Sequence, residues 1–361
     1  MAPAVLHPAP LLGGLTNQVY SMIGLVLIAN LTGAPLVLPH MLSHVTGGHL
    51  LPMSHLFDVE RLGSALSLAG VQLLRSAPTH GSAWRPLTPL APLNCYLNYL
   101  SLRRRGCLSP HALENIVYQS LHPTSAIVEA VDAERRRLGE SYGCLHPRIE
   151  RDMLANWRFT EAASPPPRLA VTLRHMARVP ELTRARRIFV AVGHVADADD
   201  ARILTRRTSW GASLVRRRSA AVPEASFSGA WAAHGAPSNA TSTSYAAAAL
   251  ADFEICRRAA WFVGWCGSTF TNWIARHRAQ DGRPEWFNSC PDDPPGLTRQ
   301  RDGGLYVDLC PAKLNRSAAR APSTTKGSSS TGSCPATAVA GDHRVLIARM
   351  KRVRVQLGGS P

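Results

Sequence analysis

The chain has 361 residues, 45% of them hydrophobic, which is enough to bury a large core and to form two domains. Its formal net charge is +16, yet all but three of the 40 basic residues are arginine, and the basic runs at 103–105, 135–137 and 216–218 are scattered. No basic stretch is interleaved with aromatics as a single-strand binder requires, so nucleic acid is set aside as a partner, while an anionic small substrate or membrane surface stays compatible.

The N-terminal stub is broken by prolines and shows neither a basic n-region nor a cleavable signal pattern. In "GGLTNQ" (13–18), Gly13 and Gly14 predict a tight turn, with a helix beginning near Thr16 to Gln18. Residues 19–38 are apolar, but Asn30, Thr32, Gly33 and Pro35 interrupt them before a membrane-spanning length is reached. Val19, Met22, Ile23, Val26 and Leu27 follow a helical period on one face. Gly33 then supplies a C-terminal stop, and "PLVLP" predicts a short buried strand. His40, His44, His49 and His55 are crowded, but no carboxylate or thiolate joins them before Asp58 and the stretch reads as a loop, so no metal is expected.

Further along, Ser109-Pro110 opens a helix over 111–120 in the N-cap and N1 pattern, and "SAIVEAVDAERRRLG" predicts a second helix ending at Gly139. "YGCLHPRIERDM" is an apolar strand that runs into charges at residues 146–152. "LAVTLRHMAR" reads as helix and "RIFVAVGH" (187–194) as strand. A Ser/Ala/Gly/Pro-rich loop spans roughly 219–243, followed by the helix "SYAAAALADFEICRRAA". The polar, small-residue composition after Asn315 predicts a disordered tail. Strands alternating with helices in both halves predict an α/β protein with parallel sheets.

None of the eight cysteines forms a C-x-x-C, so a zinc ribbon or thioredoxin-like motif is not expected, and an even count permits disulfides whose pairing the sequence leaves open. Of three N-x-S/T sequons, Asn30 is expected on an apolar helical face, whereas Asn239 and Asn315 lie in polar stretches.

Two polar stretches bear on chemistry. "WFVGWCGSTFTNWIARHR" (261–278) reads as strand, tight turn and helix, with the helix starting on Gly-Ser-Thr. The hydroxyls of Ser268 and Thr269 can cap the first turn. Alternatively, its free N–H groups and dipole form an anion site. Around Arg148, the carboxylates Glu150 and Asp152 are either an ion-pair cluster or candidate bases. Pro147 lacks a ladder N–H, so its strand must lie at an edge or end there.

Taken in order, "GGLTNQ" (13–18), "LVLP" (36–39), "LFDVERL" (56–62), "LHPRIERDM" (145–153) and "ALADFEICRRAAWFVGWCGSTFT" (249–271) resemble the GDP-fucose O-fucosyltransferase family in its plant and algal branch. The family's usual forms are G-G-x-x-N-Q, H-L-R-x-E-x-D-M and F-V-G-x-x-x-S-T-F. Here Pro147 replaces the usual Leu, and Trp265 stands where a small polar residue is common. The resemblance implies a GT-B-like α/β fold: two Rossmann-like, doubly wound domains with the donor site in the cleft between them. The expected division is an N-terminal domain over 1–139, a nucleotide-sugar-binding domain over 140–315 and a low-complexity basic tail over 316–361.

The activity the resemblance implies is inverting transfer of fucose from GDP-fucose to a protein or glycan hydroxyl, with no metal or other cofactor. Carried over by motif, Gly13, Gly14 and Asn17 would line the donor site, with Asn17 near the sugar or β-phosphate. His146 would face guanine or ribose, and Arg148 would grip the β-phosphate. Asp252 would lie beside the nucleotide, and Ser268, Thr269 and Phe270 would hold the pyrophosphate. Arg148 and Asn17 are the expected catalytic residues. The family works in the secretory pathway (Golgi or ER). The alternative functions are a degenerate relative that binds nucleotide or glycan without turnover, and an arginine-driven binder of acidic polymers.

Overall fold

A computed structural model of the chain describes residues 4–6, 8, 10–11, 14–42, 50–76, 85–87, 112–149, 168–193, 197–216, 245–265, 268–289 and 297–300. Residues 219–243 and 316–361, expected as a loop and a disordered tail, lie outside these residues, as do Gly13, Glu150 and Asp152.

The first sheet is parallel throughout. Strand β1 (Ala4–Leu6) sits between β2 (Leu36–Val37) and β6 (Arg85–Leu87), and β5 (Leu73–Leu74) flanks β2. A small antiparallel ribbon pairs β3 (His40–Leu42) with β4 (Leu50–Pro52). Helix α1 (Leu15–Thr32) follows β1 and stops where Gly33 turns left-handed at φ +63°, a conformation that costs glycine little. Helix α1 was expected to bury one face. It is instead buried nearly all round, because α3 (Ala112–Ser120), α8 (Tyr245–Arg258), α9 (Thr269–Gln280) and β2 all pack on it. Asn30 departs from expectation too, standing exposed in the helix's last turn. Helix α2 (Val59–Leu68) starts on Asp58, whose carboxylate accepts from Arg61 N at 3.0 Å.

The second sheet runs β12 (Thr298–Gln300), β11 (Trp286–Asn288), β10 (Trp261–Gly264), β7 (Gly143–His146), β8 (Arg187–Val190) and β9 (Ser213–Val215), with only β12 antiparallel. Taken from β9 to β11, the parallel strands fall in the doubly wound order 3-2-1-4-5, which reverses between β7 and β10. Such strands are apolar throughout because both faces are covered. Cys144, Phe189, Phe262 and Trp286 face a core shared with α1, α3, α8, α9 and α4 (Ser125–Leu138). Leu145, Ile188, Val190, Val263 and Phe287 face a second core with α5 (Leu169–Met176), α6 (Pro180–Thr183) and α7 (Ala198–Ile203). The first core also contains Leu6 and Leu36 of the first sheet, so one apolar interior joins the two sheets through α1.

Two further devices fix α8, one to the second sheet and one to α9. Cys144 of β7 is disulfide-bonded to Cys256 of α8, closing a separation of 112 residues. Buried Arg278 of α9 donates to carbonyls at the end of α8, at 3.3 Å to Cys256, 3.1 Å to Arg257 and 2.6 Å to Ala259. A cation at a helix C-terminus answers the helix dipole, although burial still lowers the Arg278 pKa to about 10.

Candidate functional site

The site lies where the order of the second sheet reverses. Open α/β sheets bind ligands at the carboxyl ends of the strands beside such a switch point. Strand β7 ends on His146 and β10 ends on Gly264, and these two residues are direct neighbours in the ladder. Pro147 comes immediately after the last residue of β7, so its missing N–H costs the ladder nothing even though the strand is central. The next residue, Arg148, takes the left-handed conformation at φ +56° and is the one non-glycine with positive φ among the described residues. Non-glycine residues adopt this region at a cost of ~1–2 kcal/mol, and such outliers concentrate at functional sites.

His146 is buried, with Nδ1 2.7 Å from Thr271 Oγ1 and its ring centroid 5.0 Å from that of Phe270. Desolvation first, and the nearby Arg148 guanidinium second, push its pKa down to about 3, so the ring is neutral at physiological pH. Phe270 in turn meets Phe253 of α8 edge-on at 6.5 Å. Asp252, half-buried, immediately precedes Phe253 on that helix.

Helix α9 begins at Ser268, which is buried at the N-cap with φ −103° and ψ 126°, but its side chain makes no capping bond. The Ser268 carbonyl accepts from Asn272 N at 3.2 Å and from Asn272 Nδ2 at 2.8 Å. Hydroxyl capping by Ser268, one of the two readings of this helix start, is therefore absent. Thr269 Oγ1 instead donates to Asn17 Oδ1 at 3.1 Å. That bond links residues 252 positions apart and brings the first turn of α1 against the first turn of α9. Gly14 is the N-cap of α1, with φ −63° and ψ 161°.

The structure thus brings together Asn17, His146, Arg148, Ser268, Thr269 and Phe270. It gives the last residue of "GGLTNQ" a different task. Gln18 Oε1 accepts from Leu42 N at 2.8 Å and Gln18 Nε2 donates to Leu42 O at 3.2 Å, which pins β3 to α1. Trp265 is buried, and its carbonyl accepts from Ser268 N at 3.1 Å.

Two participants escaped the sequence reading. Thr271 is the hydrogen-bond partner of His146, and Gly264 makes their approach possible. A Cβ on Gly264 would stand 2.5 Å from Thr271 Cγ2 and 2.8 Å from Thr271 Oγ1. The signal was present in "FVGWCGSTFT", where a glycine ends a strand and a small polar residue stands three places into the helix. Among the described residues, no group of three His, Cys, Asp or Glu is placed to hold a metal ion. No described helix is long and apolar enough to cross a membrane.

No protein-family model matches the chain, and no curated protein matches its sequence. Among solved structures the chain is similar to POFUT1 in complex with GDP, at 14% identity over 77% of this chain and 94% of that one, with a TM-score of 0.48. It is similar to POFUT1 in complex with GDP-fucose, at 14% identity over 77% and 94%, with a TM-score of 0.47. Fucosyltransferase NodZ from Bradyrhizobium is similar at 13% identity over 84% of this chain and 99% of that one, with a TM-score of 0.48.

Proposed function

We propose that the chain is a GDP-fucose-dependent glycosyltransferase that transfers fucose, with inversion, to a hydroxyl of a protein or glycan. The donor would lie in a cleft between two Rossmann-like domains, 1–139 and 140–315, at the carboxyl edge of the second sheet. The observation that carries this reading is the convergence of three motifs far apart in sequence. Asn17 meets Thr269, and His146 meets both Phe270 and Thr271. All of them gather where the strand order reverses.

In the proposed reaction the acceptor oxygen attacks the sugar C1 from the face opposite the nucleotide. The bond from C1 to the β-phosphate oxygen breaks, and its electron pair leaves with GDP. The acceptor's proton passes to a base or to a departing phosphate oxygen; the candidate bases Glu150 and Asp152 lie outside the described residues. Charge builds on the diphosphate and on an oxocarbenium-like sugar. Arg148 supplies a planar pair of donors for two phosphate oxygens, and the start of α9 supplies backbone N–H groups at the positive end of a helix dipole. These two groups are suited to neutralise the leaving group without a metal. Asn17, fixed through its Oδ1 by Thr269, would offer its amide N–H to the sugar or β-phosphate. Gly13, Gly14 and Asp252 would complete the pocket. The Cys144–Cys256 disulfide supports an oxidising compartment such as the secretory pathway.

Release of GDP from GDP-fucose tests the proposal, with water or a glycan mixture as acceptor. The parent chain should release GDP, and Asn17→Ala should lower turnover ~10²-fold or more while leaving GDP affinity within a few-fold. If GDP binds but is never formed from GDP-fucose, the chain is a binding relative without turnover. If Asn17→Ala lowers only thermal stability, "GGLTNQ" is a structural turn.

A further inference from the structure

Thr271 stands in the first turn of α9 with no exposed surface, and its hydroxyl lies 2.7 Å from Nδ1 of His146. Among the described residues, His146 is the only hydrogen-bond partner of this hydroxyl. That limits where protons can sit. If Nδ1 carried the ring proton and donated it to Oγ1, the buried hydroxyl proton of Thr271 would have no acceptor among the described residues. Idle lone pairs are tolerated far better than a buried donor left unmade. The hydroxyl must then donate to Nδ1, and burial beside Arg148 keeps a second proton off the ring.

We propose that Thr271 is a positioning residue that locks His146 as the Nε2–H tautomer, so that the buried ring presents a hydrogen-bond donor to its ligand. Gly264 keeps the space for this contact, since a Cβ there would overlap Thr271 at both Cγ2 and Oγ1. Phe270 packs against the ring and limits its rotation. The consequence for the ligand rests on the nucleotide reading above. An Nε2–H donor suits acceptor oxygens of ribose or phosphate and the O6 and N7 edge of guanine. It opposes the amino donor of adenine.

The test uses the full chain labelled with nitrogen-15 histidine, without nucleotide, at neutral pH. The His146 signals are assigned by their loss in His146→Gln. In the parent, Nδ1 should resonate as an unprotonated nitrogen and Nε2 as a protonated one. Thr271→Ser should keep that pattern, whereas Thr271→Val, which keeps the shape but removes the donor, should lose it. GDP affinity should fall ~10-fold or more in Thr271→Val and stay within ~3-fold of the parent in Thr271→Ser. A protonated Nδ1 in the parent overturns the proposal, and that measurement needs no variant to fold. So does a Thr271→Val chain that keeps both the tautomer and the affinity. If the parent binds no GDP at all, the nucleotide reading fails, and the parent spectrum still decides the role of Thr271.

Discussion

Arg148 shows how a single residue can be held against its own preference. Its left-handed backbone follows a proline that ends the strand, and its guanidinium stands close enough to His146 to depress that ring's pKa. Arg148→Lys keeps the charge but loses the planar fork, and it should lower turnover of GDP-fucose by ~10²–10³ with the fold unchanged. Arg148→Gly should hold the unfolding free energy from urea titration within about 1 kcal/mol of the parent or raise it, because glycine accepts this φ, while GDP binding is lost. A large loss of stability in the glycine variant would make Arg148 a structural residue.

His146 and His277 make a second case. Burial pushes both pKa values down to about 3, from an unfolded value near 6.5. Between those two values the unfolded chain binds more protons than the folded one. Stability is therefore fully present above about pH 6.5 and falls as pH drops toward 3, by up to ~1.4 kcal/mol per unit per histidine. Denaturant midpoints at pH 7, 6 and 5 should fall in that order, and His277→Phe should flatten the slope. A slope unchanged by removing His277 would mean that the ring is charged in the fold.

At the scale of elements, glycines at the site and away from it should answer oppositely. Gly264→Ala would force a Cβ to 2.5 Å from Thr271 Cγ2 and 2.8 Å from the Phe262 ring, and should cost ~1–3 kcal/mol together with nucleotide affinity. Gly63 lies inside α2 with nothing within 4 Å of an added Cβ, so Gly63→Ala should gain ~0.5–1 kcal/mol and leave binding alone. Calorimetric melting temperatures check both, and equal effects would contradict the close packing of β10 on α9.

The elements also show what could be read in advance. Helices α1, α4 and α8 and strands β7, β8 and β10 were legible, because each is a long periodic run or an apolar run closed by glycine or proline. Strands β2, β5, β6, β11 and β12 have two or three residues each, too few for a period of two to show, and only β2 was anticipated. The exposure of Asn30 and the burial of α1 on nearly every side depend on partners distant in the chain, which periodicity within one helix cannot reveal. Most of the candidate site was visible as motifs. The Thr271–His146 bond was hidden because a threonine three residues into a helix reads as an ordinary helical residue.

Across the described residues, a parallel sheet and a mixed sheet share one interior through α1, and the N-terminal turns of α1 and α9 touch at Asn17 and Thr269. The Cys144–Cys256 bond fixes α8 beside the strand that carries His146, and the Arg278 contacts tie the end of α8 to α9. This arrangement holds the proposed diphosphate contacts in place before any ligand arrives, which is where preorganised electrostatics has its value. It predicts a guanine-selective site that needs no divalent cation. The direct measurement is the melting temperature of the full chain in EDTA with GDP, ADP, UDP or CDP. Ligand at a hundred-fold excess over Kd stabilises the native state by ~2.7 kcal/mol, a shift on the order of 2–4 °C for a chain of this size. The account predicts that shift with GDP and much smaller ones with the other three nucleotides. Equal shifts from every nucleotide, fading together as salt is added, or a GDP shift that appears only with manganese, would contradict it.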